Sequence, residues 1–148
     1  MDDEEHNRRL TGPGPPGPAR LYALAAGGLL ALLGVLGFFY DAGFETGANL
    51  ADDDLAGVLL VNGWRNVIYL ATGLCALGFA SRLPRVTAMA LGAFYATFGI
   101  WGLEVINGGI GSILDAVPLG NHDNVFHLAL GALGLAAALI DNSDEILG

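Results

Sequence analysis

The sequence predicts an all-α polytopic membrane protein, with four transmembrane helices arranged as two parallel-related hairpins. Three observations carry this. Four apolar blocks, Leu21–Tyr40, Val61–Ala80, Val86–Ile106 and Val125–Ile140, dominate a 148-residue chain with 14% charged residues and mean hydropathy +0.54. A soluble domain carries about a quarter charged residues. The blocks also match in pairs, and the arginines gather at alternate junctions between them.

The pairing is read without gaps. Arg20–Tyr40 (RLYALAAGGLLALLGVLGFFY) matches Arg85–Val105 (RVTAMALGAFYATFGIWGLEV) at Arg20/Arg85, Ala23/Ala88, Ala25/Ala90, Gly27/Gly92, Ala31/Ala96, Gly34/Gly99 and Gly37/Gly102. NVIYLATGLCAL, from Asn66, matches NVFHLALGALGL, from Asn124. A tandem copy of a two-span unit keeps its orientation, so the halves are parallel rather than inverted as in many transporters.

Taking the elements in order, residues 1–19 are acidic and then rich in Pro and Gly, which predicts a disordered cytoplasmic tail. A cleaved signal peptide is not expected, because acids lead the segment and the apolar block outlasts an h-region. Residues 20–140 form the four-helix transmembrane domain. The first and third blocks reach the roughly 20 residues a bilayer requires. The second spans if Arg65 lies at its edge, and the fourth needs the turn from Asn121. Residues 141–148 form a short acidic cytoplasmic tail.

All six basic residues are Arg. Arg8, Arg9 and Arg20 precede helix one, and Arg82 and Arg85 join helices two and three. The positive-inside rule therefore places both termini in the cytoplasm of a multi-pass cell-membrane protein. The outward segments at 41–60 and 107–123 are acidic. Two stretches within them, Asp52–Leu60 and Gly108–Gly120, predict short interfacial helices. Fifteen acids against six arginines, net charge −9, point to a high-salt, halophilic habitat and away from nucleic acid, which requires a basic face. The lone cysteine, Cys75, reads as a small packing residue.

Lipid supplies no hydrophobic drive between helices, so small residues take its place. Gly27, Ala31 and Gly34 share one face of helix one, and Gly92, Ala96 and Gly99 share one face of helix three. These faces predict that helices one and three meet at a pseudo-two-fold axis, with homo-oligomers or a membrane partner protein as further uses of such surfaces.

The candidate site is a polar cluster at the outer helix ends: Arg65, Asn66, Glu104, Asp123, Asn124 and His127. Arg65 falls opposite Asp123 in the repeat, and Tyr69 opposite His127. A cation near a helix N-terminus calls for a carboxylate, so Arg65 is expected to pair with Asp123 or Glu104. Asn62, Asp123 and Asn124 also suit helix caps, and Trp64 and Trp101 an interfacial belt. His122 and His127 are the metal candidates, but they lie five apart and do not share a helical face. Haem would call for facing axial histidines, and Tyr69 stands at the matching position. No cofactor is expected, and the absence of a nucleophile–base pair or phosphate-cradling loop argues against an enzyme.

GLLALLGVLGF, VNGWRNVIYLATGLCALGFA and HDNVFHLALGALGLAAAL resemble a family of small four-helix prokaryotic membrane proteins, domain of unknown function 4383 (DUF4383), over Arg20–Ile140. The resemblance implies an Asp-Asn-x-x-His-Leu stretch in helix four, present as Asp123, Asn124, His127 and Leu128. It implies a His-Asn-x-x-His-Leu stretch in helix two, where this chain has Arg65 and Tyr69 in place of the histidines. The family implies no known reaction. The leading expectation is a structural, scaffolding or stress-related membrane protein. The alternatives are a transporter or channel-like subunit and a metal- or haem-binding subunit.

Overall fold

Proline at the first turn of a helix needs no N–H partner and presets the backbone, and two helices here begin that way. In the computed structural model, which describes residues 15–50, 53–106 and 108–142, α1 (Pro18–Tyr40) and α3 (Pro84–Val105) start on proline. The other two, α2 (Gly63–Phe79) and α4 (Asn121–Ile140), start on side-chain caps. Asn62 accepts from the Arg65 N–H at 3.0 Å, while Asp123 reaches back to the Gly120 N–H at 2.6 Å. The described residues are thus mostly helical, with four α-helices among them, three of which (α1, α3 and α4) are long and apolar enough to cross a membrane. The short one is α2, not α4: its 17 residues reach about 26 Å, under the roughly 30 Å of a hydrocarbon core.

Each hairpin is packed backbone to backbone. A Cβ on Gly34 would lie 2.7 Å from the Leu70 nitrogen, and one on Gly73 would lie 2.5 Å from that of Ala31. The second hairpin repeats this: a Cβ on Gly92 would lie 2.7 Å from the Leu135 nitrogen, and one on Gly131 would lie 2.5 Å from that of Ala96. The small-residue faces of α1 and α3 are therefore spent against α2 and α4 respectively. This corrects the expectation that they join α1 to α3. Consecutive antiparallel helices bring these faces together first, and close approach then excludes any third helix. The seam between hairpins is filled instead by bulkier side chains, Leu30, Tyr69, Leu91, Tyr95 and Leu130, with Tyr22 donating from its hydroxyl to the Leu130 carbonyl at 2.8 Å. At the other end Ala19, Ala88 and Ala138 close the bundle, and the Asp141 carboxylate accepts from the Ala19 N–H at 2.7 Å.

The segments read as interfacial helices are β-hairpins. Strands β1 (Asp54–Leu55) and β2 (Leu59–Leu60) precede α2, and β3 (Ile110–Ile113) and β4 (Val117–Gly120) precede α4. Positive φ at Ala56 and Gly57, and at Leu114 and Asp115, turns each hairpin in the sense that suits strand twist. Pro118 in β4 could not have donated within a helix. Both hairpins cover one end of the bundle, with β2 against β4, and the β3–β4 turn is tied to the flanking chain: Gly47 N–H donates to the Asp115 carbonyl at 2.7 Å, and Asn62 Nδ2 to that of Ala116 at 2.6 Å. The tail expected at 1–19 falls largely outside the described residues, as does 143–148 of the C-terminal tail; Pro18 and Ala19 are helical.

Outward from the core the surface is greasy. Leu21, Leu32, Val35, Phe39, Val86, Ile100, Leu133 and Leu139 are all exposed. Cys75 is exposed here too, which corrects its reading as a packing residue.

Candidate functional site

Beneath the β-hairpins, the first turns of α2 and α4 stand diagonally across the bundle. Long side chains close the gap between them. Arg65, 1% exposed, places Nη2 2.5 Å from the Asp123 carboxylate and donates to the Tyr69 hydroxyl at 2.7 Å. The Tyr69 hydroxyl lies 2.7 Å from His127 Nε2. Because that hydroxyl accepts from arginine, its own proton goes to Nε2, which assigns the remaining imidazole proton to Nδ1 in the neutral ring. Asp123 does double duty, since the carboxylate that caps α4 also faces Arg65 and lies 3.5 Å from the Leu60 N–H.

The two charges cancel within a direct contact, which is how buried charge is tolerated. His127 is walled by aromatic rings. Tyr95 stacks on it at 5.4 Å between centroids, and Phe98 and Tyr69 meet it edge-on at 5.1 and 5.8 Å. Tyr95 in turn shares a 2.8 Å hydrogen bond with the Thr72 hydroxyl. Arg65 Nε and Nη1 and His127 Nδ1 are buried without a protein partner among the described residues. Buried polar atoms of this kind are the usual seats of bound water.

Asn66 and Asn124 occupy matching places. Each carboxamide presses on a glycine of the preceding helix, Gly37 for Asn66 and Gly102 for Asn124, where no Cβ fits. Asn66 also donates to the Asp41 carbonyl at 2.7 Å, closing the C-terminus of α1.

Of the sequence candidates, Arg65, Asp123 and His127 come together in one network, and Asn66 and Asn124 flank it. Glu104 does not join; it is exposed on α3, so the partner of Arg65 is Asp123. His122 is exposed and His127 enclosed, and no group of three His, Cys, Asp or Glu side chains suited to a metal occurs among the described residues. The sequence marks Tyr69 only by its alignment with His127 and carries no signal for Tyr95 or Thr72. A tyrosine within an apolar helix shows its chemistry in the sequence but not the direction it faces.

A family model, domain of unknown function DUF4383, matches residues 20–140. Neither the curated proteins nor the solved structures contain a significant match. The chain belongs to the DUF4383 family.

Proposed function

We propose that this DUF4383 protein crosses the cell membrane four times, as two parallel-related hairpins with both termini in the cytoplasm, and serves there as a structural module rather than as a catalyst. The observation that carries the structural reading is the Arg65–Asp123 pair. Arg65 belongs to one hairpin and Asp123 to the other, and each is positioned by its own helix start, so the pair latches the halves together. The charges are spent on one another. Beyond the network the bundle interior passes to apolar and small side chains, ending at Ala19, Ala88 and Ala138.

The orientation draws on charge. Arg20, Arg82 and Arg85 lie at the end opposite the β-hairpins, which suits a cytoplasmic face. A short α2 is accommodated by local thinning of the bilayer or by the β-hairpins dipping into its interface. The acidic composition fits a saline exterior.

Thiol labelling of intact cells tests the placement. In a Cys75→Ala background, Leu114→Cys at the β3–β4 tip is expected to react with a membrane-impermeant maleimide, while Ser81→Cys between α2 and α3 reacts only after lysis. The opposite pattern would overturn the orientation. A second reading, a transporter or channel-like subunit, draws on the same buried ionisable chain, since intramembrane charges often mark ion paths. Proteoliposomes separate the two. The structural reading expects proton and cation leakage no greater than in empty vesicles, whereas flux abolished by Asp123→Asn would establish the second.

A further inference from the structure

Between α2 and α3 the bundle is not closed. These helices are consecutive in the chain, yet they pack far more loosely than the two helices of either hairpin. The space left is an open groove of about 460 Å³, lined by Thr72, Cys75, Phe79, Val86, Ala90 and Phe94 among others. It is apolar: the Thr72 hydroxyl is already committed to the Ile68 carbonyl at 2.7 Å and to Tyr95.

Its dimensions and its mouth point to one occupant. On α2 the lining runs from Ala71 to Phe79, and on α3 from Val86 to Phe94. Nine residues of helix on each wall, eight rises of about 1.5 Å, make a slot of about 12 Å. Half of a hydrocarbon core is about 15 Å, so the slot covers nearly one leaflet. Its lining reaches the turn from α2 into α3, where Arg82 lies in the connection and Arg85 in the first turn of α3, both exposed. Arg82 directly precedes the lining residue Leu83, and Arg85 directly precedes Val86. Arg85 Nε reaches the Ala138 carbonyl of α4 at 3.4 Å, while Arg82 makes no such contact to α4 among the described residues. Apolar slots between transmembrane helices with basic residues at the cytoplasmic rim are how membrane proteins retain anionic lipids.

We propose that this groove seats one acyl chain of an anionic phospholipid whose headgroup phosphate is held by Arg82 and Arg85. The site rests on the reading that the bundle is inserted in a membrane, but not on the structural role. A neutral lipid would fill the slot equally well, so the arginines supply the selectivity.

Native mass spectrometry of the full chain, released from nanodiscs of equal phosphatidylglycerol and phosphatidylcholine, tests this. Two arginines near the surface should favour retained phosphatidylglycerol roughly thirty-fold. The double variant Arg82→Gln/Arg85→Gln should bring the ratio towards one. Ala90→Phe, which fills the slot from an exposed position, should lower retention of both lipids. Equal retention of the two lipids by the wild-type protein would overturn the proposal, as would a preference that survives loss of both arginines. Unchanged retention in Ala90→Phe would overturn the groove as the seat. Pelleting of the wild-type protein after carbonate extraction reads membrane insertion separately, so failure of that premise is distinguishable.

Discussion

At the scale of single residues, the site depends on directions that only packing decides. Tyr69 links the ion pair to His127, so Tyr69→Phe strips Arg65 of an acceptor and His127 of a donor in one step. Leaving such groups unpaired costs about 1–3 kcal/mol, visible as a lower unfolding temperature in detergent. Tyr95→Phe should cost less, because the Thr72 hydroxyl keeps its bond to the Ile68 carbonyl. Equal losses in the two variants would argue against the Arg65–Tyr69–His127 chain. The glycines give a second contrast. Gly37→Ala and Gly102→Ala must displace Asn66 and Asn124, whereas Gly28→Ala meets nothing within 4 Å and should gain up to about 1 kcal/mol of helix propensity. Thermal unfolding of the three variants checks this. Arg65 and Asp123 are legible in the sequence because a cation near a helix start calls for a carboxylate. Glu104, an equally acidic candidate, was separable only once the helix had been rotated into place.

At the scale of elements, the sequence shows the helices and their caps but not which faces meet. Gly27, Ala31 and Gly34 mark a close contact, and a glycine stripe carries no label for its partner. Chain connectivity settled it, because the following helix is already antiparallel and adjacent. The β-hairpins were hidden for another reason. Their turns use Ala-Gly and Leu-Asp where Asn-Gly would have announced them, and Leu114 and Asp115 both take φ of 53°. A left-handed conformation costs a non-glycine residue roughly 1–2 kcal/mol. Leu114 is 77% exposed, so Leu114→Gly gives up little packing. It should stabilise the hairpin by about 1 kcal/mol, read as slower amide exchange in β3 and β4. Faster exchange there would contradict the turn.

At the scale of the whole molecule, hydropathy and arginine placement predict a membrane bundle, and three of the described helices are long and apolar enough to cross a membrane. The two ends differ in construction. One is closed by alanines and by Asp141 capping the first turn of α1, the other by the two β-hairpins over a buried charge pair. The two halves read as a repeat in the sequence, and Arg65 and Asp123, at matching positions of that reading, form an ion pair between them. That bond is the central claim, and a double-substitution cycle at Arg65 and Asp123 tests it most directly. Thermal unfolding should show Arg65→Met and Asp123→Leu each losing about 3–5 kcal/mol, because each strands a buried partner, with the double variant recovering most of the loss. A double variant as unstable as the sum of the two single losses would contradict a latch between the hairpins.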